Sequence, residues 1–182
     1  VFLRNKLYDL SFFKYSSYDF PLICVGNISV GGTGKTPMVE YLVSFLKKKH
    51  QVAILSRGYG RVSKGFIIAG SQTSSKDIGD EPFQIFNKFK DVIVAVDSDR
   101  QNGLDLLKQQ HPSTDLVLLD DAFQHRKVLA GFNILLTAYD QLYCNDYVLP
   151  TGNLREPKSG AKRAQVIIVT KCPENMCDLE KI

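Results

Sequence analysis

Short apolar runs alternate with longer amphipathic stretches along most of the chain. The runs, each bounded by Gly, Pro, Asn, Asp or Ser, are typical of buried strands. We predict strands at 21–28, 51–56, 91–97, 114–121, 132–138 and 164–171, and a shorter extended piece at 65–70. We predict amphipathic helices at 37–50, from about Asp80 onward, and at 98–111. This alternation indicates an α/β fold of three layers, with a mainly parallel sheet and helices on both faces.

The first 20 residues have a different pattern. Leu3, Leu7 and Leu10 recur at helical spacing, and basic residues at positions 4, 6 and 14 flank them. An amphipathic helix of this kind can pack its apolar stripe on its own domain or lie in a membrane interface. We therefore treat 1–20 as a separate amphipathic segment and 21–182 as the core domain.

Composition limits the possible functions. The chain has 182 residues and a net charge of +4, which suits one globular domain and is too small to indicate a nucleic-acid partner. The four cysteines lack metal-type spacing, as expected of free thiols in a reducing compartment. These are Cys24, Cys144, Cys172 and Cys177. No apolar run is long enough to span a bilayer.

A glycine-rich loop follows the first predicted strand of the core and precedes a helix. Its sequence is close to the phosphate-loop pattern G-x-x-x-x-G-K-[ST], with Ser29 in place of the first glycine. In such a loop backbone N–H groups surround an anion, the lysine contacts the β- and γ-phosphates, and the following hydroxyl holds Mg²⁺. The candidate nucleotide-binding residues are Ser29, Val30, Gly31, Gly32, Thr33, Gly34, Lys35 and Thr36. The loop indicates a P-loop NTPase fold.

Three acidic residues are candidates for the chemistry. Asp120 and Asp121 end a buried strand, as a phosphate loop requires of the acids near its metal. Asp80 lies at a predicted helix start, where it is either the N-cap or the general base that accepts a hydroxyl proton.

Arginines cluster at loop positions, where their guanidinium groups suit phosphate oxygens or solvent-exposed ion pairs. The loop arginines are Arg57, Arg100, Arg126 and Arg155. We interpret His125 as structural.

The order of the motifs carries more information than any one of them. The blocks "VGNISVGGTGKTP", "SRGYG", "GDEP", "DDAFQHR" and "LPTGNLREP" resemble, in sequence, those of the tetraacyldisaccharide 4'-kinase (lipid A 4'-kinase) family. In that family the first loop position is commonly Ser or Thr, which accounts for Ser29.

The resemblance implies a kinase that transfers the γ-phosphate of ATP, with Mg²⁺, to the 4'-hydroxyl of a tetraacyldisaccharide 1-phosphate, giving lipid IVA in lipid A biosynthesis. Lys35 and Thr36 match the phosphate and Mg²⁺ ligands, and Asp120 and Asp121 match the acidic pair. The catalytic residues would be Asp80 as base, with Lys35 and Arg100. Arg155 and Glu156 also lie in a family block.

The resemblance also implies a location and a length. Segment 1–20 would match the family's membrane-interface helix, on the cytoplasmic face of the bacterial inner membrane. Family members are considerably longer and carry a further His that pairs with the catalytic Asp. We therefore expect this chain to be a fragment that lacks the extreme N-terminus and the C-terminal part.

Two other functions are compatible with a phosphate loop. A GTPase-type metallochaperone or regulatory switch is one, because "VTKCP" resembles the guanine-reading N-K-x-D, but Thr170 and Pro173 stand where Asn and Asp are required. A kinase of a soluble metabolite is the other, and the amphipathic opening argues against it.

Overall fold

The structure is a computed structural model that describes residues 2–175. The helices are α1 (Phe2–Asp9), α2 (Lys35–Leu46), α3 (Ser75–Ile78), α4 (Asp80–Lys88) and α5 (Arg100–Gln110). The strands are β1 (Leu22–Gly26), β2 (Val52–Ser56), β3 (Ile67–Ile68), β4 (Ile93–Val96), β5 (Leu116–Asp120), β6 (Phe132–Ala138) and β7 (Val166–Thr170). Two short 3-10 turns cover Tyr143–Asn145 and Lys158–Arg163.

The seven strands form one sheet in the order β3-β4-β2-β5-β1-β6-β7. All neighbouring pairs are parallel except β3 with β4, which are antiparallel. The mainly parallel sheet confirms the predicted α/β fold. Within this sheet β1 and β5 are neighbours, with Val25 paired to Asp120. The loop that follows β1 and the acids at the end of β5 therefore lie at the same edge of the sheet.

Helices cover both faces of the sheet. On one face α2 and α4 contribute buried residues that include Val39, Val43 and Ile85. On the other face α5 contributes Leu104 and Leu107, together with the chain around 154–161. The central strands are buried on both sides, which explains why their sequences are continuous apolar runs without alternation.

The helix predicted from about Asp80 onward is α4, and a short helix that was not predicted, α3, precedes it. Gly79, with φ of 92°, ends α3 and is also the N-cap of α4. The prediction of Asp80 as the N-cap is therefore wrong by one residue, since Asp80 is the first residue of α4 and is exposed. A glycine takes the cap because the backbone turns there in a conformation that residues with a side chain rarely adopt.

Helix α1 is shorter than segment 1–20 and ends at Asp9. It presents Asn5 and Tyr8 to the protein, whereas Leu10 is 68% exposed and Phe12 beyond it is 74% exposed. The apolar residues around the end of α1 therefore face outward, and polar contacts attach the helix to the core. The side chain of Leu3 and all of Cys177 lie outside the described part.

Over the same described range, no helix has the length and hydropathy needed to cross a bilayer. Cys24 is buried and free, and Cys144 and Cys172 are exposed and free.

Candidate active site

The glycine-rich loop connects β1 directly to α2. Gly31 and Gly34 have φ values of 101° and 79°, and Gly34 is the N-cap of α2, where no side chain caps the helix. Left-handed glycines allow successive backbone N–H groups to face the same side, and an uncapped helix start leaves further N–H groups free. Val30, Gly31 and Gly32 are exposed at the tip. The loop thus has the backbone of an anion-binding site.

Ser29 lies at the start of this loop, where residues 28–30 pair with residues 153–155 as two short extended segments. It forms an isolated antiparallel bridge with Leu154, the Val30 N–H donates to the Asn153 carbonyl at 2.8 Å, and the Arg155 N–H donates to Ile28 at 2.7 Å. Ser29 is buried and does not have a positive φ. A residue other than glycine fits here because the turn needs glycine only further along the loop.

Asn27 links the loop to the segment that carries Arg155. Its side chain is fully buried and donates from Nδ2 to Thr33 Oγ1 at 2.8 Å. Its Oδ1 accepts a hydrogen bond from Arg155 Nη2, and its backbone carbonyl accepts one from Gln124 Nε2 at 2.7 Å. Asn27 belongs to the "VGNISVGGTGKTP" motif, but the phosphate-loop pattern gives it no role.

The acidic pair lies beside the loop, as the strand order requires. Lys35 Nζ is 3.8 Å from Asp121 Oδ1, and Arg155 Nη2 is 3.1 Å from the same oxygen. Asp120 is buried, and its Oδ2 accepts a hydrogen bond from Ser56 Oγ at 3.0 Å. The structure therefore brings the predicted lysine, both acids and Arg155 to one place.

The two neighbouring carboxylates have opposite electrostatic environments. Burial raises the pKa of Asp120 to about 6, and the charges of Glu81 and Asp121 add to this, against the hydrogen bond from Ser56. Burial also acts to raise the pKa of Asp121, but the hydrogen bond from Arg155 and the charge of Lys35 outweigh it and hold that pKa below its usual value.

The donor set fits Mg²⁺. Thr36 follows Lys35 in the first turn of α2, and its hydroxyl with the two carboxylates would supply hard oxygen ligands. Within residues 2–175 no group of three or more Asp, Glu, His or Cys side chains forms a cage for a metal ion. Such a cage is not needed, since Mg²⁺ in phosphotransfer sites is held by one or two carboxylates, waters and substrate phosphates.

Arg100 is buried between the ends of β4 and β5. It is 2% exposed, and its guanidinium donates to the Asp97 carbonyl and, from Nη2 at 3.3 Å, to the Asp120 carbonyl. Burial lowers its pKa to about 10, against the charges of Asp120 and Asp121. Arg100 thus joins the ends of β4 and β5 and places a positive charge behind the acidic pair.

Asp80 has no side-chain contact of this kind. Across the described residues its carboxylate makes no hydrogen bond or ion pair, and it is exposed at the start of α4. A Cβ on Gly79 would lie 2.7 Å from the Tyr59 carbonyl, so the "SRGYG" loop that holds Arg57 packs directly against the start of α4. The loop after β2 therefore sets the position of Asp80.

Glu156 is a second buried polar centre. It is 1% exposed and accepts hydrogen bonds from Arg163 Nη2 at 2.9 Å, Asn5 Nδ2 at 2.8 Å and Gln124 Nε2 at 3.0 Å. Through Gln124 this centre connects α1 to Asn27 and the loop. Glu156 belongs to the "LPTGNLREP" motif, but only its burial in the fold shows that its carboxylate needs these donors.

A basic cleft of about 310 Å³ opens between α1 and the loops after β4 and β5. Its lining includes Arg4, Arg100, His125, Arg126 and Lys127. Burial, and then the charges of Arg100, Arg57 and Arg4, lower the pKa of His125 to about 4, so His125 is neutral at physiological pH. Asp99 also lines the cleft and lies 3.8 Å from Lys127, so the positive charge of the cleft comes mainly from its arginines.

Comparisons with known proteins agree with the geometry. A tetraacyldisaccharide 4'-kinase of Flavobacterium johnsoniae is 55% identical over 97% of this chain and 52% of its own length. One of Bacteroides fragilis is 54% identical over 97% of this chain and 47% of its own length. A crystal structure described as the "apo" form of LpxK from Aquifex aeolicus in complex with ATP matches with a TM-score of 0.84 and 42% identity, over 93% of this chain and 54% of that one.

The chain thus spans about half the length of the curated relatives it matches. The model of one family, described as LpxK, tetraacyldisaccharide-1-P 4'-kinase, matches residues 1–181. This match covers nearly all of the chain, and we conclude that the chain belongs to the tetraacyldisaccharide-1-P 4'-kinase family.

Proposed function

We propose that this chain carries the nucleotide-binding half of an ATP-dependent lipid kinase, which transfers the γ-phosphate to the 4'-hydroxyl of a tetraacyldisaccharide 1-phosphate. The single observation that carries the proposal is the 3.8 Å contact between Lys35 Nζ and Asp121 Oδ1. It joins an anion-binding loop to an acidic strand end, which is the arrangement that phosphotransfer requires.

The phosphate loop binds and orients the triphosphate of ATP in this proposal. The N–H groups of the loop and of the α2 N-terminus face the phosphates, and the Lys35 ammonium neutralises charge on the β- and γ-phosphates. Asn27 holds the loop and Arg155 in fixed relation, so that Arg155 is positioned at the same edge. Arg100 supports the end of β5 from behind.

The acidic pair and Asp80 have separate roles. Thr36, Asp120 and Asp121 would hold Mg²⁺, which would supply neutralisation of the charge on the transferred phosphoryl group. Asp80, exposed and not engaged by another described side chain, accepts the proton of the 4'-hydroxyl as general base.

The acceptor is anionic, and the basic cleft supports this. Arg4, Arg126 and Lys127 line it beside Arg100, and guanidinium groups bind phosphate oxygens well. The cleft adjoins α1, so an acceptor bound there would lie beside the exposed apolar side chains that follow the helix.

The enzyme acts, we propose, as a peripheral protein at the cytoplasmic face of the inner membrane. Leu10, Phe12 and Tyr15 are all more than half exposed, close to the basic residues Lys6 and Lys14. Exposed aliphatic and aromatic side chains beside lysines favour insertion at an anionic lipid surface. This supports the membrane interpretation of segment 1–20 over packing on the core.

The direct test is phosphoryl transfer by the full-length protein that carries this chain. The protein is incubated with Mg²⁺, the disaccharide 1-phosphate and ATP labelled at the γ-phosphate, and the lipid products are separated by chromatography. We expect a labelled lipid with one additional phosphate. Lys35→Met should abolish labelling, whereas Lys49→Met, an exposed lysine near the far end of α2, should leave it unchanged. Absence of labelled lipid from a protein that binds ATP would contradict the proposal.

A further inference from the structure

The end of β7 is attached to the phosphate loop. Thr170 Oγ1 donates to the Thr33 carbonyl at 2.9 Å and also contacts the Thr137 carbonyl at 3.3 Å. A Cβ on Gly34 would lie 3.7 Å from the Thr170 side chain. The last residue of β7 therefore has a fixed position against the loop, although 137 positions separate Thr33 from Thr170 in the sequence.

The next residue turns back over the loop. Lys171 has φ of 56°, a left-handed conformation that is uncommon for a residue with a side chain. Its Nζ lies 3.9 Å from the position that a Cβ on Gly32 would take. The ammonium group therefore lies within van der Waals distance of that position, beside the exposed tip of the loop.

Among the described residues, none provides a counter-charge for this ammonium group. In the described range 2–175, Lys171 makes no hydrogen bond or ion pair through its side chain, whereas Lys35 lies against Asp121. Lys171 is also exposed, so its side chain is not held in place by packing in the core. A lysine that no described residue pairs with, next to an anion-binding loop, can contact a phosphate group through its ammonium group.

We propose that Lys171 is a second nucleotide-binding lysine, whose ammonium group contacts the phosphates of ATP from the outer side of the phosphate loop. Lys35 approaches from the helix end of the loop, and Lys171 approaches from the end of β7. The inference rests on the proposed function only in requiring that a nucleotide occupies the loop. It assigns Lys171, which the phosphate-loop pattern does not include, to the same site.

Nucleotide affinity tests the inference without any need for catalysis. Isothermal titration calorimetry would measure Kd for ATP and ADP with the full-length protein and three variants, Lys171→Met, Lys171→Arg and Lys49→Met. We expect Lys171→Met to raise both Kd values by about ten-fold or more, because a charge-assisted contact is lost. Lys171→Arg should restore most of the affinity, and Lys49→Met should not change it.

Two further readouts separate binding from structure. The melting temperature without nucleotide should be the same in Lys171→Met and in the unaltered protein, since the side chain is exposed and has no described partner. The salt dependence of ATP binding should be weaker in Lys171→Met, because one charge contact is absent.

The outcomes distinguish this inference from the proposed function. If Lys171→Met binds ATP as tightly as the unaltered protein while Lys35→Met does not, the role of Lys171 is wrong and the kinase proposal stands. If the unaltered protein binds no ATP, both are overturned. A lowered melting temperature with an unchanged salt dependence would make Lys171 a structural residue and would also overturn the inference.

Discussion

Asp120 and Asp121 are adjacent in sequence but differ in exposure, in charged neighbours and in the direction of their pKa shifts. Asp120 is buried at the end of β5 and has a raised pKa, whereas Asp121 is partly exposed, lies between Lys35 and Arg155, and has a lowered pKa. Asp121 also has φ of 46°, a left-handed conformation seldom adopted outside constrained sites. The backbone turns at Asp121, so its side chain lies beside Lys35 and Arg155 whereas that of Asp120 is buried.

The raised pKa of Asp120 predicts that it lowers the stability of the folded protein at neutral pH. The folded state holds the Asp120 proton up to about pH 6, so the free energy of unfolding falls as the pH rises from the ordinary value of 3.8 through 6. Asp120→Asn should therefore stabilise the metal-free protein at pH 7, by up to about 3 kcal/mol. The gain should disappear below about pH 4, as measured by denaturant unfolding at several pH values.

Asp121→Asn is the matched control, with the opposite sign. Because the pKa of Asp121 is lowered in the fold, its ionised form stabilises the protein above the unfolded pKa, and that contribution is lost as the pH falls. The substitution should therefore destabilise at pH 7 and have little effect in acid. The same sign for both variants would show that burial does not distinguish the two carboxylates.

A second prediction at this scale concerns Asp80. In the full-length enzyme, Asp80→Ala should lower kcat by roughly 100-fold or more while ATP affinity is retained, because a general base acts on the acceptor and not on the nucleotide. Steady-state kinetics with calorimetric ATP binding would separate the two effects. Asp91→Ala, an exposed aspartate paired with Lys47, is the control. If kcat is unchanged, Asp80 is not the general base and contributes only a negative charge at the N-terminus of α4.

At the scale of elements, the loop after β2 and the start of α4 form one unit. Gly79 has φ of 92° and packs on the Tyr59 carbonyl, and a Cβ on Gly58 would lie 2.8 Å from the Ile78 carbonyl. Neither position has room for a side chain. The "SRGYG" and "GDEP" motifs thus pack directly against each other, and the close approach explains why both contain glycine.

Gly79→Ala should be clearly destabilising, by about 1–3 kcal/mol, because it adds a steric overlap to an unfavourable backbone conformation. Gly60→Ala is the matched control: Gly60 also has a positive φ, of 77°, but no atom outside its immediate neighbours lies within 4 Å of its Cβ position. Thermal unfolding of both variants would measure the difference. Equal losses would show that the packing between the two motifs contributes nothing beyond backbone strain.

The outward-facing side chains after α1 lead to a prediction about membrane association. The double substitution Leu10→Ser with Phe12→Ser should reduce binding to vesicles that contain anionic phospholipid, because it removes exposed apolar area at the interface. Co-sedimentation with the vesicles measures this. Phe45→Ser, which removes an aromatic ring of similar exposure, 64%, from α2, should have no effect. Equal loss in both variants would argue against a specific membrane face.

At the scale of the whole molecule, the parallel sheet gathers the site at one edge. The loops after β1, β2, β4 and β5 all leave their strands at the carboxyl ends, and these ends lie together in a parallel sheet. Arg57 and Asp121 lie in the loops after β2 and β5, and Lys35 and Arg100 begin the helices that follow the loops after β1 and β4. The segment 153–155 then crosses beside the loop and adds Arg155 to the same edge.

Nucleotide choice tests the molecule as a whole. ATP with Mg²⁺ should raise the melting temperature of the full-length protein, because a ligand that binds the folded state stabilises it. GTP at the same concentration should have a smaller effect, since the guanine-reading motif is incomplete at Thr170 and Pro173. Much tighter binding of GTP than of ATP in a competition titration would favour the GTPase-type alternative and contradict the lipid kinase.

Sequence alone determined the features that depend on near neighbours. Apolar runs and helical periodicity predicted the six parallel strands of the sheet, because burial on both faces leaves a direct imprint on composition. The phosphate loop, with Lys35 and Thr36, was readable because its function resides in the local backbone and in two adjacent side chains. The order of motifs was sufficient to suggest the family, which the comparisons then showed.

Only the tertiary structure decided the contacts between distant parts of the chain. Asn5 meets Glu156 across 151 positions, Asn27 meets Arg155 across 128, and Thr33 meets Thr170 across 137. No periodicity or spacing predicts such pairs, because the need of a buried polar group for a partner becomes visible only when its surroundings are known. The same reason explains Lys171, whose position beside the loop follows from the strand order and from a single left-handed residue.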